Sequence, residues 1–181
     1  RRDSNGGRIP ETRAQMSSLN TTDVHGRAAA FYEALSDAQS PARRVGWESD
    51  AAHLLRLRAL SDALGPLEML SEVRDVGCGE GRLLDVLNAR GYQGRYVGED
   101  VLPSMLVRAR RAHPLATFKA HNAFEPGERA SAIVSSGMLN TPLGKDHQAA
   151  AHTLLRTLWE RSEQTLVIDF AVADATTPSR A

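Results

Sequence analysis

The sequence predicts a doubly wound α/β domain whose strands are mostly parallel, and three observations carry that reading. Apolar strand-like runs alternate with amphipathic helical runs through most of the chain, the order that builds a parallel sheet with helical crossovers. The stretch Val73-Arg74-Asp75-Val76-Gly77-Cys78-Gly79-Glu80-Gly81-Arg82-Leu83-Leu84 reads as a short strand that breaks into a glycine-rich turn and restarts as a helix. An acidic pair, Glu99-Asp100, closes the next strand about twenty residues beyond those glycines, where a ribose diol is gripped in folds of this class.

Bulk properties narrow the function. With 181 residues, 41% of them hydrophobic, the chain is one domain with material for a full core. Its 22 basic and 22 acidic side chains cancel, so the surface offers no general attraction to nucleic acid or to an anionic membrane. No apolar run approaches the roughly 18 residues of a membrane span, and no secretory signal is visible. Cys78 is the only cysteine, which excludes disulfides within the chain and cysteine zinc sites and points to a cytoplasmic protein.

Taken in order, residues 1–24 are polar and aperiodic and read as a flexible tail, in which Met16 could be the natural start. Residues 25–66 read as a helical lid. Arg27 to Leu35 has helical composition, Ser40-Pro41 breaks it, and Ser49 N-caps a second helix. Leu54, Leu57, Leu60 and Leu64 recur there at helical spacing before Gly65-Pro66 stops it. Residues 67–173 form the core. After the glycine turn, Leu83, Leu84, Val86 and Leu87 mark the buried face of a helix closed by Gly91. Strands follow at Tyr96–Gly98, Ala116–Ala120 and Ala132–Ser136. Between the first two, Arg108, Arg110 and Arg111 read as a solvated last helical turn. Asp146 is expected to cap a helix with Leu154, Leu155, Leu158 and Trp159 on one face. His147 and His152 fall on different faces of it and make no metal pair. The run Thr165–Val172 suits a buried parallel strand.

The turn's chemistry selects its ligand. A dinucleotide fingerprint places its third glycine three positions after the second, whereas Gly81 follows Gly79 by two. The amides opening the next helix are expected to face outward. Asp75 and Glu80 flank the turn, and carboxylates there oppose a phosphate and favour a cation. S-adenosylmethionine carries a sulfonium and an ammonium and no phosphate, so the turn favours it over a nicotinamide dinucleotide.

Asp75-Val76-Gly77-Cys78-Gly79-Glu80-Gly81 resembles the first motif of the class I S-adenosylmethionine-dependent methyltransferases, and the likeness runs from about Tyr32 to Val172. It implies a Rossmann-like sheet of strand order 3-2-1-4-5 and S-adenosylmethionine as cofactor. Within the small-molecule branch of that family, Gly46, Trp47, Ser49 and Arg56 match a lid pattern in which Arg56 reaches the methionyl carboxylate; a surface arginine is the competing reading. The run Val97 to Leu106 matches a second motif and selects Asp100 over Glu99 for the ribose, with Val101 beside it. Met105 then packs on the adenine or in the core. Asn122, where the family usually has aspartate, and Ala123 fall at the adenine, and Ser136 falls near the transferable methyl group. Gly77, Cys78, Gly79, Gly81 and Asp75 complete the cofactor set. His121 reads as a structural or rim residue. Trp47 and Asn140 are the substrate candidates, against packing for the first and turn closure for the second. No residue stands out as a catalytic base, and no metal is expected.

After Ala173 the chain lacks the closing helix and strand hairpin usual in the family; residues 174–181 are expected to be a tail, left by truncation of a longer chain. The expected function is in-line methyl transfer to a small-molecule acceptor, with a homodimer or larger assembly allowed. A non-catalytic scaffold subunit of the same fold is the alternative. Aminopropyl transfer would need extra carboxylates beside the fourth strand, and Ser135-Ser136-Gly137 offers none.

Overall fold

A computed structural model describes residues 21–35, 37–140 and 147–170, with the backbone alone for 21–25. Residues 1–20 of the expected N-terminal tail, Met16 among them, the Asp146 cap, the end of the fifth strand at Val172 and the C-terminal tail lie outside the described residues; residues 21–24, expected as the end of that tail, instead open a helix.

Three helices precede the sheet: α1 (Thr21–Leu35), α2 (Pro41–Arg44) and α3 (Asp50–Ala63). Ser40-Pro41 does break α1, but it also starts a helical turn of its own. Proline sits at the first helical position, where no amide is needed, and the Ser40 hydroxyl accepts from the Arg43 amide. Ser49 caps α3 as its sequence predicts, accepting from the Ala52 amide at 3.2 Å. Leu57, Leu60 and Leu64 are buried.

Five strands follow: β1 (Glu72–Val76), β2 (Arg95–Asp100), β3 (Thr117–Ala120), β4 (Ala130–Ser135) and β5 (Ser162–Ile168). Every pairing is parallel and the order is 3-2-1-4-5. The crossovers are α4 (Arg82–Ala89), α5 (Pro103–Ala112) and α6 (His147–Arg161). Side chains alternate across the sheet. Val73, Tyr96, Phe118, Ala132 and Val134 pack with Leu57, Leu83 and Leu87 on one side. Val76 and Ile133 pack with Leu154 and Leu158 on the other.

Two expectations change. Strand β5 starts earlier than expected and is half-exposed, because among the described residues it has β4 as its one partner. On α6, Ala150, Leu154, Leu158 and Arg161 are buried, while Leu155 and Trp159 face outward. Each of those two lies one position, about 100° of helix rotation, beyond a buried residue. Arg110 is not simply solvated; its guanidinium donates to the Phe118 carbonyl at 2.8 Å and ties α5 to β3. Among the described residues, no helix is long and apolar enough to cross a membrane.

Beneath the sheet lies a buried ion cluster that hydrophobic periodicity does not announce. Glu99 of β2 accepts from Arg74 of β1 at 2.6 Å and from Arg161 at the end of α6 at 2.6 and 2.8 Å. All three side chains are at most 3% exposed. Glu72 and Glu128 take up the other Arg74 nitrogen. Removing one member leaves an uncompensated charge in the interior, so Arg161→Met is expected to cost about 3 kcal/mol of unfolding free energy. Lys119→Met, which breaks only the exposed pair with Glu128, is expected to cost under about 1 kcal/mol. Urea unfolding of the two variants tests this, and equal losses would remove the cluster's special standing.

Candidate functional site

The site forms where β1 ends. Gly77, Gly79 and Gly81 all take positive φ (78°, 53° and 79°), a conformation that other residues adopt only with strain. The turn is stitched to the tip of β2. The Gly77 and Cys78 amides donate to the Glu99 carbonyl at 2.8 and 3.0 Å, and the Gly79 amide donates to Asp100 Oδ2 at 2.8 Å. Gly81 donates to the Cys78 carbonyl. These amides are therefore engaged within the protein, not directed at a ligand. The reason is local: a carbonyl and a carboxylate at the neighbouring strand end reach them first.

Above the turn the three lid helices enclose a cavity of about 1000 Å3, its open mouth included. Asp75, Gly77, Cys78, Gly79, Asp100, Val101, Met105, Asn122, Ala123 and Ser136 line it, as does Trp47. Arg56, Gly81 and Asn140 do not. Gly81 lies behind the turn, where a Cβ would stand 3.0 Å from the Phe118 ring; its smallness serves packing. Arg56 sits 4.7 Å over the Trp47 ring and 3.7 Å from Asp169. Asn140 is exposed, and its amide closes a tight turn onto the Gly137 carbonyl. Asn122 Oδ1 accepts from the Phe124 amide and its Nδ2 donates to Glu125, so part of its hydrogen-bonding capacity is already used.

Charge sets the character of the cavity. Asp75 is buried, and Tyr96 donates its hydroxyl to Oδ2 at 2.7 Å. Burial pushes this carboxyl up to about 7; the Tyr96 hydrogen bond opposes the rise, and Asp100 and Glu99 add to it. Asp100 is also raised, first by burial, against the pull of the Leu102 and Gly79 amides on its oxygens. Among the described residues neither carboxylate has a cationic partner. Glu80 differs: Arg44 holds both its oxygens, at 2.5 and 2.9 Å. With Arg82 and Asp50 paired at 2.5 Å, it straps the lid to the glycine turn.

Several cavity residues escaped sequence reasoning: Tyr32, Val45, His53, Arg82 and Met138. For His53 a signal existed, since it lies four positions before Leu57 on the inward stripe of α3. Among the described residues, no group of three or more His, Cys, Asp or Glu could hold a metal ion.

The sign of the pH dependence follows from Asp75. Its carboxyl, raised to about 7 in the folded chain from an ordinary 3.8, keeps a proton that the unfolded chain releases. Folded stability is therefore lost as pH climbs from about 4 to 7, by up to about 1.4 kcal/mol per unit. Asp75→Asn, which preserves the acceptor for Tyr96, is expected to flatten that slope and to be the more stable form at pH 8. Urea unfolding across pH checks it; parallel profiles for the two proteins would mean that Asp75 titrates normally.

Comparison with known proteins agrees with this geometry. Residues 73–161 match the family model described as a methyltransferase domain. “Putative methyltransferase Rv1506c” of Mycobacterium tuberculosis is 38% identical over 82 residues, covering 44% of this chain, and the chain spans about half (49%) of that relative's length. Magnesium protoporphyrin IX methyltransferase from Synechocystis PCC 6803, solved with bound S-adenosylmethionine, superposes with a TM-score of 0.58 at 20% identity, over 87% of this chain and 79% of its own. Phosphoethanolamine N-methyltransferase 1 of Haemonchus contortus gives 0.62 at 13% identity, over 86% and 34%. A glycine turn stitched to an acidic strand tip and a 3-2-1-4-5 parallel sheet accompany that match: residues 73–161, about half of the chain, match the methyltransferase-domain model, and the sheet has the fold of the solved methyltransferases to which the chain is similar.

Proposed function

We propose that this chain binds S-adenosylmethionine in the crevice above the glycine turn and transfers its methyl group to a small-molecule acceptor. The observation that carries the proposal is the pair of buried carboxylates, Asp75 and Asp100, with no cation beside them among the described residues. Carboxylates removed from water stay ionised only when a positive charge or hydrogen-bond donors compensate them. The ammonium and ribose hydroxyls of S-adenosylmethionine supply both, whereas a pyrophosphate would add charge of the same sign.

In this reading residues 25–66 are a lid on a core spanning 67–173. Asp75 faces the ammonium end, Asp100 takes the ribose diol, and Val101, Met105, Asn122 and Ala123 enclose the adenine. Arg82 and Arg56 compete for the methionyl carboxylate; the first lines the cavity and the second stands beside it. Trp47 closes the acceptor side. The bound cofactor contributes an activated methyl carbon. The chain contributes alignment and a wall that excludes water. The single buried thiol, Cys78, fits a cytoplasmic setting. No observation favours the non-catalytic scaffold.

Two measurements test the site. Asp100→Ala removes the acceptor for the ribose and frees the Gly79 amide; calorimetry is expected to show S-adenosylmethionine binding weakened by at least about tenfold, a loss of about 1.4 kcal/mol. Unchanged affinity in that variant would sink the assignment. In the unaltered chain, a cation binds best once Asp75 has lost its proton. Affinity is therefore expected to rise with pH up to about 7 and then level off, with protons released to buffer on binding at pH 6. A flat profile would separate Asp75 from the ammonium.

A further inference from the structure

We propose that His53 takes the proton of a hydroxyl group on an uncharged and largely apolar acceptor. The inference rests on the methyltransferase reading and deepens it by naming the acceptor class and the base.

The lid side of the cavity is built from Ala28, Pro41, Val45, Trp47 and Met138, with the Tyr32 ring beside them. Its formally charged groups are committed: Glu80 to Arg44, and Arg82 to Asp50. A carboxylate or phosphate on the acceptor would find Arg82 already shared between Asp50 and, in the reading above, the methionyl carboxylate. An ammonium would lose its water against apolar walls. A neutral compound with aromatic or aliphatic bulk pays neither cost and packs against Trp47 and Met138.

His53 is the polar exception on that wall. Its side chain lines the cavity, is 6% exposed, and leaves Nδ1 buried without a hydrogen-bond partner. Trp47 stacks on the imidazole (centroids 5.8 Å apart, planes at 16°), and the Arg56 guanidinium lies over that Trp47 ring, so the histidine's plane is fixed. A leucine or phenylalanine would fill the same space without orphaning a nitrogen. The other cavity histidine, His121, also leaves Nε2 partnerless, but that atom lies beside Gly127, next to the Arg161 guanidinium and away from the lid.

Burial keeps His53 neutral, as a proton acceptor requires. Burial pushes it down to about 4 and Arg82 of α4 adds to that; Asp50 on its own helix, Asp169 after β5 and Glu80 in the glycine turn pull the other way and lose. In the transfer, the acceptor oxygen bonds the methyl carbon as the carbon–sulfur bond breaks. The bonding pair stays on sulfur, which becomes a neutral thioether, and the hydroxyl proton moves to His53. An imidazolium this acidic then returns its proton to solvent at neutral pH.

The test uses the full chain with S-adenosylmethionine and two phenols, phenol and 1-naphthol, against benzoate and benzylamine as charged controls of similar size. The phenols are expected to yield methyl ethers at least about tenfold faster than the controls, and His53→Gln to lower kcat by about 100-fold with KM and cofactor affinity little changed. Nitrogen-15 NMR of the imidazole provides a readout apart from turnover. Without ligands, His53 is expected to stay unprotonated from pH 5.5 to 7.5, and 1-naphthol is expected to shift the His53 nitrogens in the cofactor-loaded protein. Full activity in His53→Gln, preference for benzoate or benzylamine, or an unmoved His53 signal with naphthol bound overturns the proposal. So does absence of ether formation by protein that binds the cofactor. Failure to bind S-adenosylmethionine at all would instead overturn the reading of the site.

Discussion

The tip of strand β2 is the constraint on which this site depends. The Glu99 carbonyl accepts two amides of the glycine turn, and the next residue, Asp100, accepts a third through its carboxylate. Without those acceptors a loop rich in glycine would retain the conformational freedom that makes glycine costly to order. Glu99 can act as an anchor because its own side chain is held from below by Arg74 and Arg161. The ion cluster, the strand tip and the turn thus form one continuous support, running from the end of α6 through the sheet to the cavity floor.

The lid is attached by a different kind of force. Arg44 with Glu80 and Arg82 with Asp50 bridge helices to the turn at partly exposed positions. Apolar packing reinforces them at close range, since a Cβ on Gly79 would stand 2.9 Å from Val45. Ion pairs that keep contact with solvent are individually weaker and screened by salt. Buried ones, as under the sheet, suit a scaffold that must not move.

How much of this the sequence disclosed depended on which physical signal each residue carries. The strands, helices and glycine turn were legible because local pattern dictates them: apolar strand-like runs, helical leucine spacing and a turn that demands positive φ; the strand order came only with the resemblance that the turn motif carries. Asp100 was separable from Glu99 by motif alone. Arg56 and Gly81 were misjudged with respect to the cavity, since a motif fixes a residue's position in the chain but not the direction of a long side chain, nor which side of a turn needs the space. The Arg74–Glu99–Arg161 cluster was invisible because it joins residues up to 62 positions apart and uses types that composition assigns to the surface. The outward turn of Leu155 and Trp159 was missed for a related reason: an apolar residue marks a helix face only when its neighbours agree on which face is buried.

Strand geometry links the support to the chemistry. Successive side chains on a strand point to opposite faces, so Arg74 and Asp75 must diverge, as must Glu99 and Asp100. In the observed register, with Arg74 opposite Val97 and Asp75 opposite Gly98, one member of each pair joins the compensated cluster below and the other faces the cavity. Gly98 is part of the arrangement, because any side chain there would collide with Phe118 and with Cys78. A slip of one residue would exchange the two faces, driving Asp75 among the ion pairs and delivering Arg74 to the crevice. The crevice would then carry positive charge and suit a phosphate. The preference proposed for this site, a cationic ligand, therefore follows from the register between β1 and β2 as much as from the residues in the turn, and the buried salt bridges hold that register in place.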